Sequence, residues 1–380
     1  MNIPVVKNIA RHTGLILLGL LVAFFVVEIF VRVFFPQERR LFIADPEGKI
    51  RTMHVPNVDT EKKTDEYSAR IKTNAQGFVG NDFMTNKLAG TFRIATLGDS
   101  FTEAFQVDYD KSYSALLEKK LNEKNGRGTP YQVYNFGMSS TGTEMQLLTY
   151  KNYIRQYKPD LLILQYYAGN DVTDDLLLHN DPLGGDMYQG IKFGKLRAFL
   201  SNKLHSPRFI IRRIERIRAV KNALARYNIS ARGAGFYDKP DKYPSLYDIY
   251  KKSNEPPFSG AFQTNCKTIK DFQAVTQNDG VSLLFLIIPH RLELFPEDWQ
   301  EILTEYPKMR REKWDIQKPL VKVRQCLNET GIKYIDMHQN FKNLLASGVP
   351  RMYYKQDDHF DINGHNFVAD YLVKKVLINK

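Results

Sequence analysis

The longest uninterrupted apolar run in the chain comes first. Residues 14–35 read GLILLGLLVAFFVVEIFVRVFF, with no charge before Glu28. About 20 apolar residues is what a helix needs to cross the hydrocarbon core of a bilayer. The run therefore predicts a transmembrane helix and makes the membrane an expected partner through residues 14–35. Glu28 and Arg32 stand four apart and share a helix face, near an end from which Arg32 can snorkel to the interface. A cleaved signal peptide is the competing reading. The apolar stretch is long for one, and no A-x-A-like cleavage site follows. A buried helix of a soluble domain is the other alternative, and the position at the extreme N-terminus speaks against it. Lys7 and Arg11 precede the run, and Arg32, Arg39 and Arg40 follow it. That bias nearly ties, but a short basic head before a large domain favours an inside N-terminus.

Beyond the anchor the pattern changes twice. Residues 36–90 are polar and mixed, without strong periodicity, and KTNAQGFVGNDF (72–83) reads as turns. From Arg93 onward, short apolar runs alternate with helical patterns. RIATLG precedes SYSALLEKKLNEK; YQVYNFG precedes TEMQLLTYKNYIRQY; DLLILQYYAG comes next. VSLLFLIIP (281–289) and GIKYIDM (331–337) follow, the latter before GHNFVADYLVKKVLI. Continuous apolar strands alternating with helices predict a parallel sheet covered on both faces. Five such strands predict an α/β, three-layer, doubly wound sheet of flavodoxin-like order. The expected organisation is a basic head at 1–13, a transmembrane helix at 14–35 and a linker and N-terminal extension at 36–92. An α/β domain at 93–380 completes it, with an insertion at about 175–280.

Within the insertion, SPRFIIRRIERIRAVKNALARY sets Phe209, Ile210, Ile214, Ile217, Val220 and Leu224 at helical spacing among seven Lys and Arg residues. This predicts a basic amphipathic helix: a surface helix packed on the core, or a lid or membrane-surface contact. The whole chain has 380 residues, is 43% hydrophobic and carries a formal net charge of +12. That supports a sizeable core and favours anionic surroundings, such as headgroups or acidic glycans, or serves solubility. No nucleic-acid-binding motif accompanies the charge, so no nucleic acid is expected as a partner. Cys266 and Cys326 lack C-x-x-C spacing, which argues against a zinc knuckle. A single disulfide, if the domain lies outside the cytoplasm, and two unpaired thiols both stay open.

Candidate chemistry collects at the strand ends. In a doubly wound sheet ligands bind beyond the carboxyl ends of the strands. Gly98-Asp99-Ser100 closes the first strand there. Ser100 would open the next helix, where free N–H groups and the dipole favour negative charge; the alternative is that Ser100 only caps that helix. NFGMSS puts Gly137 at the same rim, and YYAGND puts Gly169, Asn170 and Asp171 there. KQDDHFDINGH places His359 beside Asp357 and Asp358 before the last helix. A serine, a glycine N–H, an asparagine amide and a histidine with a carboxylate are the parts needed for acyl transfer.

On these four motifs the chain resembles the SGNH hydrolase superfamily, also called GDSL-type esterases. GDSFT (98–102), Gly137, GND (169–171) and His359 in DDHFDINGH occur in the family order, over about 93–175 and 280–378. The resemblance implies Ser100 as nucleophile and His359 as base. It also implies an oxyanion hole from the Ser100 N–H, the Gly137 N–H and the Asn170 amide, with no cofactor. The anchor and TNAQGFVG also look like membrane-anchored bacterial envelope members. The family's Asp-x-x-His is not kept, because position 356 is Gln. The carboxylate must come from Asp357 or Asp358. Asp357 is favoured, since a residue two before the histidine can curl back to Nδ1. Asp-x-His spacing also resembles polysaccharide O-acetyltransferases of the alginate type.

Rival readings are weaker. HFDINGHNFVAD imitates a calcium loop, but its first and twelfth places are His359 and Asp370. A helix start capped by Asp361 or Asn363 reads better, which leaves His365 a packing residue. Asn170 could serve only a turn, Asp99 bonds the turn around the serine, and Asp171 and Asp175 cap the next segment. The other histidines, His54 and His290 among them, show no informative spacing. The expected activity is serine-dependent ester hydrolysis through an acyl-enzyme in the cell envelope, outside the cytoplasm. O-acyl transfer to a polysaccharide and non-catalytic glycan binding are the alternatives.

Overall fold

Residues 92–97, FRIATL, alternate Ile94 toward one side and Ala95 and Leu97 toward the other, and all three are buried. A strand buried on both faces needs helices above and below, and that requirement organises the domain. The structure is a computed structural model that describes residues 3–35, 41–125, 128–180, 204–216, 243, 245–253, 256 and 258–378. The chain divides into two units: residues 1–40 with 185–235, and residues 41–184 with 236–380.

In the first unit, helix α1 runs Ile3–Phe34. Its 24-residue stretch Arg11–Phe34 is long and apolar enough to cross a membrane. Glu28 pairs with Arg32 at 3.2 Å, as their spacing predicts. Glu28 also accepts the backbone N–H groups of His205 and Ser206, each at 2.8 Å, and the Ser206 hydroxyl at 2.8 Å. The carboxylate thereby caps a second helix of this unit, His205–Arg216. That helix is the first half of the basic amphipathic pattern; Ile217, Val220 and Leu224 lie outside the described residues.

The second unit holds a five-stranded sheet. Numbering strands along the chain, β5 is Phe92–Leu97, β6 Tyr131–Asn135, β7 Leu161–Tyr167, β8 Ser282–Ile288 and β9 Tyr334–Asp336. Their spatial order is β6-β5-β7-β8-β9, and every pairing is parallel. This is the doubly wound order the alternating pattern predicts. Successive side chains of a strand point to opposite faces, so Leu162 and Leu164 enter one core while Ile163 enters the other. Helices Thr143–Thr149 and Ala261–Asn278 cover the first face; helices Tyr113–Asn125 and Ile362–Ile378 cover the second. The helix Ala261–Asn278 leads directly into β8.

Residues 74–83 do run as turns and bends, but before them the extension holds strands where the sequence shows no strong periodicity. Two antiparallel hairpins occupy it: β1 (Phe42–Ala44) with β2 (Thr52–His54), and β3 (Asp59–Lys63) with β4 (Ser68–Lys72). β3 reads DTEKK and buries none of its residues, so it carries no apolar alternation for a sequence reader to detect. β4 turns only Ala69 and Ile71 inward. Beyond the hairpins, Val79 bridges Asn135 at the end of β6, which attaches the extension to the sheet edge.

Cys266 and Cys326 form a disulfide between helices Ala261–Asn278 and Lys318–Thr330, with Cα atoms 5.7 Å apart. The 60-residue separation makes the closed loop long. Chain-entropy arguments put its stabilisation at about 4 kcal/mol, with native strain reducing it. We expect reduction, or Cys326→Ala, to lower the unfolding free energy by roughly 2–4 kcal/mol. Urea unfolding with and without a reductant measures this; coincident curves, or free thiol in the denatured protein, would contradict the pairing.

Candidate active site

β5 ends at Leu97, and the chain turns through Gly98 and Asp99 into a single helical turn, Ser100–Glu103. Asp99, not Ser100, caps that turn: its Oδ1 accepts the Phe101 N–H at 2.9 Å. The serine hydroxyl is thus released from capping. Gln165 on β7 fastens the turn, its Oε1 accepting the Asp99 N–H at 3.1 Å and the Thr102 hydroxyl at 2.8 Å. No side chain fits at Gly98, because a Cβ there would lie 2.2 Å from that Gln165 oxygen. Asp99 is fully buried. Burial raises its carboxyl to about 6, against opposing stabilisation from the Phe101 N–H, the His359 charge and the Gln165 and Asn170 amides.

The histidine arrives from the other end of the domain. Ser100 Oγ donates to His359 Nε2 at 2.6 Å, and His359 Nδ1 donates to Asp357 Oδ1 at 2.6 Å. Nδ1 also faces the Asp357 carbonyl at 2.9 Å. The backbone makes this curl by placing Asp358 at φ 70, a left-handed conformation that Asp tolerates better than most residues. Asp358 makes no hydrogen bond to the imidazole among the described residues and pairs with Arg291. Of the two carboxylates left open by the sequence, Asp357 is the one on the histidine. Burial pushes the Asp357 carboxyl up, but the bonds from His359 and Tyr67 and the His359 charge leave it below its ordinary value. Burial pushes His359 down, and Asp357 and Asp99 more than compensate, so its pKa lies above the ordinary 6.5.

Asn170 stands at the carboxyl end of β7, just before the helix Asp171–Asn180. Its amide lies against the Asp99 carboxyl, and its Oδ1 is buried with no hydrogen-bond partner among the described residues. Two family models match these segments. Residues 94–186 match the GDSL-like lipase/acylhydrolase family, and residues 250–379 match the SGNH hydrolase-like domain of the acetyltransferase AlgX. The domain is SGNH hydrolase-like. Its class is that of enzymes acting on ester bonds.

Solved structures similar to it share little sequence. The acetyl xylan esterase AlAXEase is 13% identical, with 75% of this chain and 100% of that chain covered and a TM-score of 0.41. TesA is 12% identical over 75% and 99%, with a TM-score of 0.39. A catalytic mutant of an acetylxylan esterase from Geobacillus stearothermophilus is 12% identical over 77% and 96%, with a TM-score of 0.40. No curated protein matches the chain.

Within the SGNH hydrolase-like domain one expected donor is otherwise engaged. The Gly137 N–H is given to the Asn135 side chain at 2.8 Å, so it is not free for an oxyanion. The glycine has a packing reason instead. A Cβ at Gly137 would sit 2.2 Å from the Glu103 nitrogen and 2.5 Å from the Thr102 carbonyl carbon, both backbone atoms. Its absence lets the turn after β6 press on the serine's helical turn. Ser140, at φ 58 and exposed, is the open N–H on that turn: among the described residues it makes no hydrogen bond.

The remaining residues fall into structural places. Asp361 caps helix Ile362–Ile378, accepting the Gly364 N–H at 2.9 Å. His365 is buried, accepts the Tyr113 N–H at 3.3 Å and is driven down to about 3 by burial. Asp171 accepts the Tyr167 N–H at 2.5 Å, closing the turn before its own helix. Asp175 differs from its expected role: it accepts the Glu144 N–H at 2.9 Å and so caps the neighbouring helix Thr143–Thr149. Asp370 pairs with Lys120 at 2.8 Å instead of completing a calcium loop.

Sequence reasoning passed over His54. Its Nε2 contacts Glu103 Oε1 at 2.7 Å, and Glu103 also accepts the Ser139 N–H at 3.0 Å. That buried group ties the first hairpin to the serine turn across 49 residues, and no motif announces it. Tyr67, whose hydroxyl reaches Asp357, was missed for the same reason.

Gly137→Ala forces a methyl against backbone that cannot swing away. We expect a loss of about 3 kcal/mol in folding stability, read by chemical denaturation. A variant as stable as the parent would show that the turn after β6 has room the packing denies it.

Proposed function

We propose that this chain is a membrane-anchored serine esterase that works through an acyl-enzyme on an acyl or acetyl ester of the cell envelope. The observation that carries the reading is the continuous hydrogen-bonded series Ser100–His359–Asp357, at 2.6 Å for each link. In this reading Ser100 Oγ attacks the ester carbonyl while His359 Nε2 takes the hydroxyl proton. Asp357 holds Nδ1–H and stabilises the imidazolium that forms. The tetrahedral oxyanion meets the Ser100 N–H, which opens its helix without an intrahelical partner, and the Asn170 amide. Collapse breaks the ester C–O bond, and the leaving alkoxide takes the proton back from His359. Water then repeats the sequence on the acyl-enzyme and frees Ser100.

A second reading replaces that water with a sugar hydroxyl, giving O-acyl transfer. The match of residues 250–379 to an acetyltransferase model favours it. Exclusion of water from the acyl-enzyme decides between the two outcomes. The substrate in either case is an acetylated glycan or a lipid ester, and a net charge of +12 suits an anionic glycan or membrane face. In this reading residues 14–35 anchor the chain by a single pass, and residues 93–380 act outside the cytoplasm. The Cys266–Cys326 disulfide supports that side of the membrane, since such bonds persist in oxidising compartments. A non-catalytic glycan-binding scaffold would have no use for the serine–histidine bond.

The detergent-solubilised full chain and its Ser100→Ala variant, assayed with p-nitrophenyl acetate and a fluorophosphonate probe, test the proposal. We expect labelling of Ser100 and a loss of about 10⁴-fold in kcat in the variant. Equal hydrolysis by both proteins would overturn it. Product analysis with an oligosaccharide acceptor present separates transfer from hydrolysis.

The pH profile is a further check. The base must be neutral, and His359 is held above 6.5. Activity should therefore be low in acid and rise through a midpoint above that value in kcat/KM. A midpoint below it would contradict the imidazole's environment.

A further inference from the structure

The hairpin β3–β4 ends in a turn, Thr64–Tyr67, that lies before the residues either family model matches. This turn reaches the histidine loop. Glu66 Oε1 accepts the N–H groups of Lys355 at 2.8 Å and Gln356 at 3.0 Å. Its Oε2 accepts those of Gln356 at 3.0 Å and Asp357 at 2.8 Å. One carboxylate thus gathers three successive backbone donors. The Tyr67 hydroxyl donates to Asp357 Oδ2 at 2.8 Å. Tyr67 is 7% exposed, and its ring lies 4.9 Å from that of Tyr354, whose N–H is given to the His359 carbonyl at 2.8 Å. The turn is itself braced, with Thr64 Oγ1 accepting the Tyr67 N–H at 3.2 Å.

We infer that Glu66 and Tyr67 are positioning residues for Asp357, fixing the carboxylate that orients His359. The inference rests on the acyl-enzyme reading of the site. The physical need comes from the short spacing. With Gln at 356, the carboxylate must curl back from only two residues before the histidine, over a left-handed Asp358. A free loop would populate other conformations. Glu66 pins the backbone of the curl, and Tyr67 pins the carboxylate rotation. Asp357 then has one oxygen on His359 and the other on Tyr67, and neither can turn without breaking a bond. Arg291, paired with Asp358, also holds the curl.

Tyr67 also shares the charge that His359 feels. Asp357 and Asp358 face the imidazole from its own loop, Asp99 from the serine turn and His365 from the last helix. Lys62 and Glu66 face Asp357 and Tyr67 from the hairpin. Removing the tyrosine hydroxyl leaves more of the Asp357 charge on the imidazolium. His359 then holds its proton to higher pH.

The test is a double-mutant cycle in the full chain, with Tyr67→Phe, Asp357→Asn and the pair, assayed with p-nitrophenyl acetate across pH. For Tyr67→Phe we expect kcat to fall about 10-fold, with KM within twofold and the melting temperature unchanged. The acid limb of kcat/KM should move to higher pH. In the Asp357→Asn background the same substitution should change the rate by less than about twofold, because the hydroxyl acts through that carboxylate. Glu66→Gln, which keeps the shape and one acceptor, should give a smaller loss in kcat.

Parental rates and pH limb in Tyr67→Phe would overturn the inference. So would equal losses in both backgrounds, which would place the effect elsewhere. Activity that survives Ser100→Ala would bring down the underlying reading first, and the positioning role with it.

Discussion

A single hydrogen bond, from Ser100 to His359, joins positions 259 residues apart, and most of the architecture is required to make it. One partner sits on a turn at the end of β5, and the other precedes the final helix. Each must be fixed independently to a fraction of an ångström, since such contacts weaken steeply with misplacement. The sheet supplies the first fixation. Gln165 of β7 reaches across to the serine turn, and Asp99 caps it from within. The packing of helix Ile362–Ile378 against helix Tyr113–Asn125 supplies the second, carrying the histidine loop with it.

Burial of charge runs through this arrangement. Asp99 is kept from water directly beneath the serine, and its carboxyl rises to about 6. Asp171 and Asp175 are driven up by the same burial close by. Such groups are costly unless they are hydrogen-bonded, and here they close turns and cap helices. The histidine is the exception, because carboxylates surround it and hold its positive form. A base of this kind is strong but needs neutral or alkaline surroundings to be free.

The N-terminal extension deserves a place in the domain, although its composition suggests a linker. Among the contacts that bind it are Val79 at the sheet edge, His54 on Glu103 under the serine turn, and Glu66 with Tyr67 on the histidine loop. These reach both halves of the proposed triad. An extension that contacts both halves adds a third fixation to those of the sheet and the last helix.

The alternation of strands and helices was legible in the sequence because it is local. A run such as LLILQYY is apolar on both faces only if the strand is covered twice, and a glycine at its end marks the rim. The placement of Ser100 and Asn170 beyond strand ends follows from that alone. The candidate histidine was legible too, as an acidic loop before a helical pattern. What could not be read depends on contacts across distant segments. The spacing favoured Asp357 over Asp358, but the left-handed residue that makes the curl and the tyrosine 290 positions away that holds the carboxylate were not legible. The Gly137 N–H was lost to a side chain only two residues off, but the close packing that explains the glycine involves Glu103. The pairing of Cys266 with Cys326 needed two helices brought side by side. Local periodicity encodes which residues enter a strand or helix; it carries no record of which polar groups meet once those elements pack, and the tertiary structure decided that.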